Sequence, residues 1–261
     1  MKVQDFGVFD GPLVLFGGGY SNLHALSALF DAEPGLPMIS TGDLVGYCAD
    51  PEETVALFLR RGIPGIAGNC ERQAASGAED CGCGFEDGTA CDLLSRGWYA
   101  HLSAALSPGA RAELADLADL GTFTHDGRRY GVVHGGATAN NRFLWPSDDD
   151  AAFAAEIAAF EAAAGPVDAI VAGHSGIAFQ RDIGRHRWIN AGAIGLPPHD
   201  GRPETRYALL DAGEVTFRRL DYDHAAARAA MEAAGLTQGY HAALSTGHWP
   251  SEDVLPPALR R

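Results

Sequence analysis

The chain has 261 residues, 46% of them hydrophobic, so it can bury a large core. Its formal charge of -15 and pI near 4.9 exclude a sequence-independent grip on long DNA or RNA and on an anionic membrane, and leave open a small phosphorylated molecule held at a local metal. The opening "MKVQDFGVFDGP" lacks the apolar core of a signal peptide, and no run of roughly eighteen apolar residues is present to span a bilayer. The expectation is a soluble, cytoplasmic protein.

The elements follow in chain order, without a Pro/Ser-rich linker between them. Leu13 to Phe16 reads as a buried strand, and Asn22 to Phe30 as a helix with Leu23, Leu26, Leu29 and Phe30 on one face. Met38 to Thr41 is a second strand. Asp50-Pro51-Glu52-Glu53 has the pattern of a helix start, and that helix should end at Arg61-Gly62. A short strand is expected around Ile63 to Ala67. Residues 70–118 carry little strand character and read as a helical excursion. In "TFTHDGRRYGVVHG" (122–135) Asp126-Gly127 makes a hairpin turn between strands. Ala151 to Ala164 is an alanine-rich helix, and "AIVAGHSG" (169–176) is a strand running into a loop. "RHRWINAG" and "RYALLDAGEVTFRRLDY" supply further strands, followed by a helix near His224 to Ala234 within a helical tail that starts at about residue 223. The expected fold class is α/β: one domain over 1–261 with two packed mixed sheets flanked by helices.

Five cysteines (Cys48, Cys70, Cys81, Cys83, Cys91) form an odd set without a CxxC pair. This argues against a disulfide framework and suits a reducing compartment. Cys81-Gly82-Cys83 offers two thiols to a metal, which alone is too little to specify a site.

Polar residues accumulate where apolar strands end: Asp43 after "MISTG", Asn69 after "IPGIAG", His134 after "YGVV" and His174 after "AIVAG". Singly, each is better read as a cap, a turn residue or a satisfied near-core histidine. Together they are one carboxylate, one amide and two imidazoles, gathered where α/β folds bind ligands, and they suit one divalent ion such as Zn, Mn or Fe.

The segments "GDLVGYCADP" (42–51), "GNCE" (68–71), "VVHG" (132–135), "GHSG" (173–176) and "INAGAIGLPPHDGRPETRYALLD" (189–211) stand in an order that resembles the calcineurin-like metallophosphoesterases, especially their small bacterial phosphodiesterases. The resemblance implies a four-layer αββα sandwich and phosphoric ester hydrolysis. It also implies two adjacent metal positions. One would use Asp43, Asn69, His134 and His174, all retained. The other would use the aspartate and histidine of a D-x-H motif, Asp43 as bridge, and the last histidine of G-H-x-H.

In this chain "GGGYSNLHAL" (17–26) has Gly18 and Tyr20 at the D-x-H positions, and Gly176 replaces the last histidine. A dinucleotide-binding reading of Gly17-x-Gly19 is weaker, since Asn22 occupies the third glycine position and no acid follows on a second strand about twenty residues later. His24 is read as structural. Two dications about 4 Å apart would repel by roughly 17 kcal/mol at an effective dielectric near 20, with Asp43 as the sole anionic ligand between them. One ion per chain is therefore expected. Cys70 takes the place of the family's G-N-H histidine. The implied function is a phosphodiesterase or phosphatase with one metal, reduced activity and altered roles for Cys70 in catalysis and Tyr20 in substrate contact. The alternative is a non-catalytic protein of this fold that binds a phosphorylated ligand or a protein partner.

Overall fold

Period-two alternation in short, wholly buried strands sets the layering. The computed structural model describes residues 1–261. Its elements begin with β1 (Val3–Phe9), β2 (Leu13–Phe16), α1 (Leu23–Ala32), β3 (Met38–Ser40) and α2 (Pro51–Arg61). The helical excursion follows as α3 (Asn69–Ser76), α4 (Ala90–Ala105) and α5 (Pro108–Asp116). Next come β4 (Leu120–His125), β5 (Arg128–Val132), α6 (Asp150–Ala164), β6 (Ala169–Ala172), β7 (Phe179–Ile183) and β8 (His186–Asn190). The chain closes with β9 (Thr205–Asp211), β10 (Glu214–Leu220), α7 (His224–Ala233), α8 (Tyr240–Thr246) and a 3-10 turn at Pro257–Leu259. No helix is long and apolar enough to cross a membrane.

Two mixed sheets result, one of six strands ordered β1-β4-β5-β6-β8-β7 and one of four ordered β10-β9-β2-β3. In β2, Leu13 and Leu15 face the larger sheet and join Val132, Val171, Ile189 and Leu210 in the core between the sheets. Val14 and Phe16 point the opposite way, toward the helices packed on the smaller sheet. Ile170 and Trp188 likewise turn from the larger sheet to Phe153, Ile157 and Phe160 of α6. Alternating faces, each buried, produce the helix-sheet-sheet-helix stack.

Local signals place several boundaries. Asn22 caps α1 by accepting from the Ala25 N–H at 3.1 Å. Helix α2 ends at Gly62 with φ 63°. Asp126 and Gly127, at φ 48° and 75°, make the tight turn between antiparallel β4 and β5. Two expectations change. Ile63 to Ala67 is not a strand but makes two isolated bridges, Ser40 to Gly65 and Ile66 to Ala118. Strands β1 and β7 were not expected; they are the two edges of the larger sheet, where one neighbour is missing and apolar alternation is weak.

Leu15 is fully buried between the sheets and Val8 is 71% exposed on the edge. Leu15→Ala should cost about 2–5 kcal/mol of unfolding free energy, and Val8→Ala less than about 0.5 kcal/mol, measured by urea denaturation. Equal costs would contradict the layering.

Candidate metal centre

The ends of two parallel strand pairs, β2 with β3 and β5 with β6, deliver side chains to one crevice. Asp43 follows β3, His134 follows β5, His174 follows β6, and Asn69 is the first residue of α3. All four are buried. His134 Nε2 lies 3.2 Å from Asp43 Oδ2, 3.1 Å from Asn69 Oδ1 and 3.2 Å from His174 Nδ1. Ligand atoms around an ion with bonds of about 2.1 Å sit about 3.0–3.4 Å apart, so these separations match the edges of a coordination shell.

Hydrogen bonds aim the donors. His134 Nδ1 lies 2.8 Å from the Thr41 carbonyl oxygen. A carbonyl only accepts, so Nδ1 carries a proton, and Nε2 is the nitrogen turned to Asp43, Asn69 and His174. Asn69 Nδ2 donates to the Cys81 carbonyl at 2.8 Å, which turns Oδ1 toward the crevice. The Cys70 N–H holds Asp43 Oδ1 at 3.2 Å and leaves Oδ2 for the centre. Oxygen and nitrogen atoms thus face one another in a buried space, an arrangement held together by a proton between them or by a cation.

The pKa shifts follow from this crowding. Burial pushes His174 down to about 3, helped by the charge of His134. For His134 burial acts downward too, but the Asp43 carboxylate outweighs it and raises the ring above its ordinary value. Asp43 is lowered, with the histidines overcoming the cost of burial. A cation could replace the proton shared by this group, and the donor set fits Zn, Mn or Fe.

Glu71 was given no role from the sequence, although its spacing after Gly68 is that of a capping box. It is fully buried and accepts from the N–H groups of Asp43 at 2.8 Å, Val45 at 3.0 Å and Gly68 at 2.7 Å. Burial and the Asp43 charge push it up to about 7 against those donors. At Gly68 any Cβ would overlap Asp43 Oδ1, so only glycine lets the Asp43 and Asn69 turns meet. Strain concentrates here as well. Tyr20, Ser21, Asp43, Tyr47 and His174 all have φ between 42° and 60°, conformations that cost about 1 kcal/mol or more each. Bonds from Tyr20 N to Asp43 O at 3.0 Å and from Ser21 N to Leu44 O at 2.9 Å lock the two strained loops together.

The volume beside the four donors is filled by the Tyr20 ring. A Cβ on Gly18 would lie 2.6 Å from Tyr20 Cζ and 2.6 Å from Ala193 Cβ, and one on Gly176 would lie 3.9 Å from the Tyr20 hydroxyl. The phenol therefore spans the space between residues 18 and 176. Tyr20 lines a pocket of about 580 Å³, counting its open mouth, in which Asp43 is the only carboxylate and His174 the only imidazole.

Cys70, offered from the sequence as a catalytic group, lies away from the pocket. It has no exposed surface, burial raises its thiol far above the ordinary range, and it is absent from the pocket wall. Its side chain packs in the core, and its N–H positions Asp43. Cys81 and Cys83, offered from the sequence as two thiols for a metal in a set that argued against a disulfide framework, are bonded to each other, while Cys48, Cys70 and Cys91 are free.

Asp43→Ala and His134→Ala should each abolish divalent-ion uptake measured by isothermal titration, and Tyr20→Phe should leave it unchanged. Glu71→Gln should weaken it about ten- to hundredfold by loosening the Asp43 turn. Retained uptake in both alanine variants would move the site elsewhere.

No sequence-family profile matches the chain, and no curated protein matches its sequence. Solved structures do. A metallophosphoesterase from Sphaerobacter thermophilus superposes with a TM-score of 0.68 at 23% identity, over 92% of this chain and 100% of that one. A hypothetical protein from Pyrococcus horikoshii OT3 superposes with a TM-score of 0.76 at 16% identity, again over 92% and 100%. The two facing mixed sheets, the flanking helices and the crevice at the strand ends are those of the calcineurin-like metallophosphoesterase fold.

Proposed function

We propose that this protein is a phosphoric ester hydrolase that works through one divalent ion held by Asp43, Asn69, His134 and His174, with activity below that of a two-metal enzyme. The observation that carries the reading is the convergence on His134 Nε2, where three further donor atoms stand at 3.1 to 3.2 Å. When bound, the ion would supply positive charge to a phosphoryl oxygen and make water more acidic. The chain's own groups supply the rest. Thr41 and Glu71 keep the donors aimed. Tyr20, whose pKa is raised well above that of an ordinary phenol by burial and by Asp43, stays protonated and can donate its hydroxyl hydrogen to a phosphoryl oxygen.

The reduced activity follows from the second position. An in-line displacement is fastest when both the attacking and the leaving oxygen meet a cation, and the Tyr20 ring stands where the other ion's ligands would reach. That same ring supports a second reading, a non-catalytic protein that binds a small phosphorylated molecule. Hydrolysis of an aryl phosphodiester by the manganese- or zinc-loaded protein separates the two. Turnover lost in Asp43→Ala supports the hydrolase; analogue binding without any metal-dependent turnover supports the binder.

Restoring the second position should need four changes. Gly18→Asp, Tyr20→His and Gly176→His supply the donors, but the new Cβ at residue 18 would still lie 2.6 Å from Ala193 Cβ. The triple variant should hold about one ion per chain. Adding Ala193→Gly should raise this to about two and speed aryl phosphodiester hydrolysis tenfold or more, about 1.4 kcal/mol in barrier, as read by elemental analysis and initial rates. Two ions in the triple variant alone would show that Ala193 does not obstruct the position.

A further inference from the structure

The pocket that opens beside Asp43 and His174 is walled by aromatic rings and contains no Lys or Arg. Phe143 is the centre of the wall on the His174 side, with ring centroids 4.2 Å apart. It stacks parallel to Trp145, at 5.4 Å and 2°, and near-parallel to Phe85, at 6.2 Å and 22°. Trp249 arrives from the C-terminal segment and is pinned there: its indole N–H donates to the Pro197 carbonyl at 2.7 Å, and its backbone N–H to His199 Nδ1 at 2.8 Å. Phe85, Phe143 and Trp249 are only half-buried, so ring surface remains available in the pocket.

Charge narrows the occupant. Asp43 with a bound dication sums to one positive charge, which balances the single negative charge of a phosphodiester group. A second or third phosphate would enter a protein of net charge -15 and meet no cationic side chain in this pocket. An unpaired charge taken out of water there is costly. A flat apolar group gains instead, through burial against rings and through stacking.

We infer that the ligand is an ester of a single phosphate group with an aromatic or similarly flat apolar alcohol, its phosphate at the metal and its alcohol against Phe85, Phe143 and Trp249. The inference rests on the phosphoester reading above and specifies its substrate class. Polyphosphates and small aliphatic phosphates are disfavoured on opposite grounds, the first by surplus charge and the second by lack of apolar surface.

Three non-hydrolysable or minimal probes test it on the manganese-loaded full chain by isothermal titration: phenylphosphonate, methylphosphonate and inorganic pyrophosphate. Phenylphosphonate should bind about tenfold or more tightly than methylphosphonate, and more tightly than pyrophosphate. Phe85→Ala and, separately, Trp249→Ala should reduce phenylphosphonate affinity about fivefold and change methylphosphonate affinity less than about twofold. Equal affinity for the two phosphonates, or tighter pyrophosphate binding, overturns the substrate class and leaves the phosphoester reading standing. Metal-loaded protein that binds neither phosphonate overturns both.

Discussion

The structure turns on one buried point, the space in front of His134 Nε2. A carboxylate oxygen, an amide oxygen and a second imidazole nitrogen face it at 3.1 to 3.2 Å. A proton or a cation among these atoms offsets the repulsion of their lone pairs. Much of the surrounding sequence serves to hold them there. Glu71 gathers three backbone N–H groups around the Asp43 turn, the Thr41 carbonyl sets the His134 tautomer, and the Cys81 carbonyl orients Asn69. The strained backbone of Asp43 and His174 belongs to the same arrangement, since neither residue would adopt a left-handed conformation without the contacts around it.

The same constraint explains the aromatic character of what lies beside it. Gly18 and Gly176 place no side chain in the neighbouring volume, and the Tyr20 ring fills it. Its ring continues into Tyr47 at 4.6 Å, which stacks on Trp98 at 4.4 Å and meets Tyr240 at 4.8 Å. An apolar lining of this kind raises the penalty for unpaired charge and rewards flat ligands. A bound cation would then be the main source of positive charge for a phosphate in this pocket.

Legibility of the fold in the sequence tracked burial. Strands β2, β6 and β8, helices α2 and α6 and the Asp126-Gly127 hairpin could be read directly, because two-sided burial, a Pro at the first helical turn and a turn dipeptide each leave a local mark. Edge strands β1 and β7 could not, since their exposed residues carry little alternation. The segment Ile63 to Ala67 looked like a strand because it is apolar; its backbone makes only two bridges, to Ser40 and Ala118. The pairing of Cys81 with Cys83 depends on how a loop folds, which residue spacing does not reveal.

For the site, the sequence by itself marked the candidate donors. Asp43, His134 and His174 each follow an apolar strand, and a strand that terminates at a crevice carries the side chains just after it into that crevice whatever the details of packing, while Asn69 opens α3. The gaps at Gly18, Tyr20 and Gly176 were equally visible as residue types. What fills those gaps was decided by tertiary structure, because it depends on residues far apart in the chain: Gly18 against Ala193, and Asn22 Nδ2 bound to the Gly195 carbonyl at 2.9 Å. Cys70 and Glu71 show the same division. The sequence offered Cys70 as a site residue and gave Glu71 no role, but the direction each side chain takes from the first turn of α3 makes one a sealed packing group and the other the clamp on Asp43. Side-chain direction and burial are properties of the packed interior, and no local spacing encodes them.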